Sequence, residues 1–136
     1  MRHPQWEARL NTLVANALAA RFEWGKFDCC TFAADVVQAI TGCDRMADLR
    51  GTYACLRSAL RVLEAEGGLR AAVTRRLGEP LPEHEILFAQ RGDVVLHNVE
   101  GYPALAVVVG ANALAPMSTG VQRLAARDWI AAWAVR

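Results

Sequence analysis

The sequence predicts an α+β fold, with helices gathered in its first half and an antiparallel β-meander or half-barrel in its second. Three observations carry that expectation. Up to about Leu77, apolar residues recur at three- and four-residue steps, the period of a helix face. After the Pro80 and Pro82 loop they fall instead into short β-branched runs. Glycine-centred turns separate those runs, at Gly92, Gly101-Tyr102-Pro103, Gly110 and Gly120.

Trp6, Leu10, Leu13, Val14, Ala17 and Leu18 form one stripe on a helix from about Pro4 to Arg21, with Pro4 suited to the first turn. Asp28 is an N-cap for a second helix carrying Phe32, Val36, Val37 and Ile40, which Gly42 stops. Thr52 is read as the cap of a third, with Leu56, Ala59, Leu60 and Leu63 inward and an end at Gly67-Gly68. A fourth, Leu69 to Leu77, closes at Gly78. Five strands follow: Asp93–His97, Leu105–Val109, Ala113–Ala115, Val121–Leu124 and Trp129–Val135. One face of the resulting sheet is expected to pack on the helices. With 136 residues, no internal repeat and no low-complexity linker, residues 1–136 are read as one domain.

Composition excludes several classes of function. A net charge of +1, from 15 basic and 14 acidic residues, gives no field to attract nucleic acid or an anionic membrane. Lys26 is the one lysine; the richness in arginine and alanine is read as base composition before function. No secretory signal is expected, because Glu7, Arg9 and Asn11 interrupt the apolar run it needs. The Leu105–Val109 stretch is far short of the ~20 residues that span a bilayer. No metal site is expected either, since CxxC is missing and His3, His84 and His97 stand singly. Cys29, Cys30, Cys43 and Cys55 are read as free thiols, Cys43 and Cys55 as core fillers. Arg70, Arg75 and Arg76 read as a solvated helical face rather than a phosphate site. Trp6, Trp129 and Trp133 are either core or partner surface.

The stretch that bears chemistry runs from Phe22 to Phe32. Trp24-Gly25 makes a tight turn, Asp28 caps, and Cys29 falls in the first helical turn. A thiol there feels the helix dipole and unpaired N–H groups, which favour the thiolate and could hold an acyl-transfer oxyanion. The alternative is a small buried hydrophobe.

Phe22-Glu23-Trp24-Gly25, followed by Asp28-Cys29 and a helix, resembles the nucleophile segment of the NlpC-type branch of papain-like cysteine peptidases. Arg91-Gly92-Asp93-Val94-Val95-Leu96 is similar to the Gly-Asp strand of those domains, and Ala104 to Gly110 to the strand after it. The likeness covers residues 22–136 and extends, through Trp133-Ala134-Val135-Arg136, to a compact subfamily of phage and prophage tail proteins. It implies an NlpC-like, papain-like fold with Cys29 as nucleophile and Trp24, Gly25, Asp28, Gly92 and Asp93 as its framework. It also implies a histidine at the position of Ala104 and a polar third member near Ala113 to Ala115, where this chain is apolar. His97, able to lie opposite Ala104 across a hairpin, is the candidate substitute base; otherwise it is an idle rim histidine. His84 is expected at the surface.

Two functions follow as expectations. The first is a structural component of a phage tail tip or baseplate, a pseudoenzyme located in the virion and in the bacterial cytoplasm during assembly, whose partners are other tail-tip or hub proteins. The alternative is an active cysteine hydrolase of peptidoglycan peptide links during phage entry, with His97 or a partner's histidine as base. Neither calls for a cofactor, nucleic acid or membrane insertion.

Overall fold

A computed structural model describes residues 1–136. Four α-helices, α1 (Trp6–Ala19), α2 (Cys29–Thr41), α3 (Leu56–Glu64) and α4 (Leu69–Leu77), precede five strands: β1 (Val94–Val99), β2 (Tyr102–Val108), β3 (Asn112–Met117), β4 (Gly120–Ala125) and β5 (Ala131–Trp133). The helices pack on one five-stranded antiparallel sheet, ordered β4-β3-β2-β1-β5. The α+β expectation therefore holds. The meander runs from β1 to β4, and β5 returns to the free edge of β1, pairing Val94 with Trp133. No helix is long and apolar enough to cross a membrane.

Helix α2 is the axis of the core. Phe32, Val36, Val37 and Ile40 are buried against Leu96, Leu105, Val107 and Leu114 of the sheet and Leu10 of α1. Each such side chain contributes about 1.5–3 kcal/mol of apolar burial. Gly42 closes the helix at φ +79°, a left-handed cap that glycine adopts without strain.

The other face of the sheet is not solvated, as a one-sided sheet would be. Val95, Ala106, Val108, Ala113, Ala115 and Ala132 form a second core with Trp129 and Ile86. Ile86 comes from a 3₁₀ segment, Glu83–Phe88, in the stretch that Pro80 and Pro82 mark as loop. Four alanines on this face leave room for the Trp129 ring. Because both faces are apolar, the strands lack the alternation that would have separated them.

Two further expectations are corrected. Cys43 and Cys55 are exposed, not core. The Cys55 sulfur, 3.5 Å from the Ser58 N–H, caps α3, whereas the Thr52 hydroxyl turns back to the Leu49 carbonyl at 2.6 Å. Trp129 and Trp133 are buried, so of their two alternatives the core reading holds. Arg70 and Arg75 are exposed, as a solvated face requires, while Arg76 is half-buried and paired with Glu66 and with Asp48, each at 2.7 Å.

Candidate active site: the Cys29 cleft

The turn before α2 is built around one carboxylate. Glu23 and Phe27 exchange backbone hydrogen bonds of 2.9 and 2.8 Å, folding Trp24-Gly25 into a tight loop. Gly25 has φ +83°, and a Cβ there would lie 2.6 Å from the Tyr53 carbonyl oxygen, so only glycine fits. The buried Asp28 accepts from the Gly25 N–H at 2.8 Å and the Thr31 N–H at 2.9 Å. Thr31 returns the bond, its hydroxyl accepting from the Asp28 N–H at 2.8 Å, which completes a capping box. The Tyr53 hydroxyl lies 2.9 and 2.8 Å from the two Asp28 oxygens. Desolvation, followed by the nearby Cys30 and Asp28, raises the Tyr53 pKa, so the phenol keeps its proton and donates it. Tyr53 is the site residue that sequence reasoning missed; an isolated tyrosine in a loop carries no periodic or motif signal.

Cys29 is the first residue of α2 and is half-buried, its sulfur 3.9 Å from that of Cys30. The hydrogen bond from Cys30 lowers the Cys29 pKa. The Leu105 and Cys30 backbones add to this, while burial and the Asp28 carboxylate oppose it. The same bond and burial push the Cys30 thiol well up. Of the two thiols, Cys29 is therefore the one that gives up its proton first. All four cysteines are free.

Leu105 reaches the sulfur because β2 and β3 part company there. Val109 N–H donates to the Asn112 carbonyl, so Asn112, Leu114 and Pro116 turn their main-chain groups toward β2. The ladder includes Val107↔Leu114 and goes no further toward Leu105. Continuing that register by two residues sets Leu105 opposite Pro116, which has no N–H to give. The two hairpin ends, Val99–Ala104 and Pro116–Thr119, consequently border a cleft of about 410 Å³ whose other walls are α3 and the start of α2.

No histidine shares this cleft. His97 does stand opposite Ala104, as the hairpin register requires. In the pleat, however, it follows Val95 onto the second-core face, whereas Cys29 packs on the first core with Leu96 and Leu105. A strand alternates faces residue by residue, so the sheet separates the two side chains. His97 is therefore not brought to Cys29. It is buried with neither ring nitrogen hydrogen-bonded, and burial lowers its pKa despite the Leu105 backbone and the Asp128 charge. Ala104 borders the cleft and brings no polar side chain to it, and Ala113 to Ala115 are buried and apolar. His3 sits near the opposite end of α2, its N–H bonded to the Ile40 carbonyl, and His84 is exposed.

Gly92 and Asp93 are also remote from the cleft. Asp93 ties Arg2, Gln90, Val135 and Arg136 together, and a Cβ on Gly92 would lie 2.6 Å from Ile40 Cδ1. Of the framework residues, the structure thus brings Trp24, Gly25, Asp28 and Cys29 to one site and assigns Gly92-Asp93 to chain closure. No cluster of three or more metal-ligating side chains is present.

No curated protein and no solved structure matches the chain. A family model described as "Domain of unknown function (DUF6950)" matches residues 1–135, and the chain belongs to that family.

Proposed function

We propose that this protein is a structural component of a phage tail tip or baseplate, built on a degenerate NlpC-like cysteine peptidase domain. The observation that carries the degenerate reading is Cys29 at a helix N-terminus in a cleft with no histidine. Amide cleavage needs a group that takes the nucleophile's proton and returns one to the leaving amine. Cys30 holds its proton too firmly, Tyr53 is committed to Asp28, and His97 lies across the sheet. The tail assignment rests on the resemblance of the Trp24-Gly25…Asp28-Cys29 and Gly92-Asp93 segments to NlpC-type peptidases and on its extension, through Trp133–Arg136, to a compact subfamily of phage and prophage tail proteins.

Two measurements test this reading. The purified protein is expected to leave peptidoglycan stem peptides intact over hours. In a phage or prophage carrying the gene, deletion should abolish tail completion, and a Cys29→Ala copy should restore it. Peptide turnover that disappears in Cys29→Ala would overturn the degenerate reading, and infective particles from the deletion strain would overturn the tail assignment. The alternative, hydrolysis of peptidoglycan peptide links, meets a second obstacle besides the missing base. Asp28 and Glu100 are the only charged residues lining the cleft, so a stem peptide's carboxylates find no cation there.

A further inference from the structure

We propose that the Cys29 cleft binds an apolar acyl chain and that Cys29 accepts that chain from an acyl thioester. The cleft carries the argument independently of the cysteine. It encloses about 410 Å³, within the usual size of small-molecule sites, and 16 of its 22 lining residues are hydrophobic. Leu60, Leu63 and Leu69 line it, and two partly exposed side chains, Leu56 and Tyr102, stand at its rim. No cation faces it, so neither a phosphate nor a carboxylate has a counter-charge inside. A chain of methylene groups meets these walls without leaving a polar group unpaired.

Chemistry separates the thioester from the amide. Both begin with Cys29 thiolate attacking the carbonyl carbon, and the helix start supplies the unpaired Cys29 and Cys30 N–H groups beside the developing oxyanion. An amide then stalls, because an amine leaves only after it gains a proton. A thioester does not. The new carbon–sulfur bond to Cys29 forms, the old one breaks, and the donor leaves as a thiolate that takes its proton from water. A cleft without a histidine is competent for this exchange alone. The inference shares with the proposed function only the lack of a base, and its failure leaves the tail-assembly test untouched.

The experiment uses the whole protein and N-acetylcysteamine thioesters of acetate and octanoate, with intact-mass and peptide mass spectrometry. Octanoylation of Cys29, reversed by neutral hydroxylamine, is expected at least about tenfold faster than acetylation, since the longer chain buries several methylenes. Cys29→Ala should lose the adduct, while Cys43→Ser should keep it. Leu56→Glu, at a partly exposed position that folding tolerates, should erase the preference for the longer chain. Equal rates for the two donors, or adducts found first on exposed Cys43 and Cys55, would overturn the proposal. Retained chain preference in a Leu56→Glu protein with a native melting curve would overturn the assignment of the binding wall.

Discussion

His97 is buried with neither ring nitrogen bonded, and burial holds its pKa below the ordinary value despite the nearby Asp128 carboxylate. The folded protein therefore binds a proton less readily than the unfolded chain, whose histidine titrates near 6.5. Its neutral form costs no linkage energy above that pH. As pH falls below about 6.5 the unfolded state gains the proton first, and stability drops by up to ~1.4 kcal/mol per pH unit until the folded pKa is reached. His97→Leu should remove this slope and, by deleting two unsatisfied buried atoms, stabilise the protein at pH 7 by about 1 kcal/mol. Denaturant titrations at pH 7.5 and 5.5 check both effects; the same acid slope in the variant would contradict them. The register of His97 with Ala104 was legible in the sequence, because one Gly101-centred turn joins two apolar runs. Its face was not, because a leucine precedes it and a valine follows it at close range on both sides of the pleat. Cys29 was legible for the opposite reason: Asp28 and the following apolar spacing mark a helix start with no competing register.

At the scale of elements, the cleft opens where the β2–β3 ladder stops, beside Pro116. The hairpin β3–β4 is fully paired through Pro116↔Val121 and Met117↔Gly120, so the proline is harmless on that side. Its cost falls on the β2 side, where the Leu105 carbonyl loses its N–H donor and the two hairpins diverge. Pro116→Val restores the missing donor at a position whose β-region backbone accepts valine. It should lengthen the β2–β3 ladder, stabilise the fold by about 0.5–1.5 kcal/mol, and narrow the cleft beside Cys29. Slower amide exchange at Leu105 and weaker octanoyl labelling of Cys29 would register the change, whereas unaltered exchange at Leu105 would place the cause of the divergence elsewhere. Helix limits were the best-read elements in the sequence: Gly42 and Gly78 stop α2 and α4 where their apolar stripes end. The 3₁₀ segment Glu83–Phe88 was not legible, since Pro80 and Pro82 mask a single buried residue, Ile86, among charged and exposed neighbours. The return of β5 to β1 was likewise hidden, because sequence order favours neighbouring strands and nothing local to Ala131–Trp133 names its partner.

Across the whole molecule, both ends of the chain converge on one buried carboxylate. Asp93 Oδ1 accepts from Arg2 Nη2 at 2.9 Å, Arg136 Nη1 at 2.9 Å and the Val135 N–H at 3.0 Å, and Oδ2 accepts from the Gln90 N–H at 2.8 Å. Arg2 also donates to the Arg91 and Val135 carbonyls and lies 4.3 Å over the Trp6 ring. Helix α1 and strand β5, the first and last elements, are thereby fastened to the start of β1. The three charges differ in what they contribute. Asp93 is 1 % and Arg2 11 % exposed, so their pairing is made in a largely dry environment, whereas the Arg136 side chain is 44 % exposed and its attraction is screened by water. Burial and the neighbouring Arg136 already lower the Arg2 pKa, with Asp93 opposing both. Removing the carboxylate leaves two guanidinium groups close together with no counter-charge between them. Asp93→Ala should accordingly cost about 3–5 kcal/mol, and Arg136→Ala no more than about 1 kcal/mol. Arg2 and Asp93 are in direct contact, so a double-mutant cycle between them should return a coupling of about 0.5–3 kcal/mol. Urea titrations of these variants decide the matter. A cost for Arg136→Ala equal to that for Asp93→Ala would mean that the outer arginine, not the buried pair, holds the two ends of the chain together.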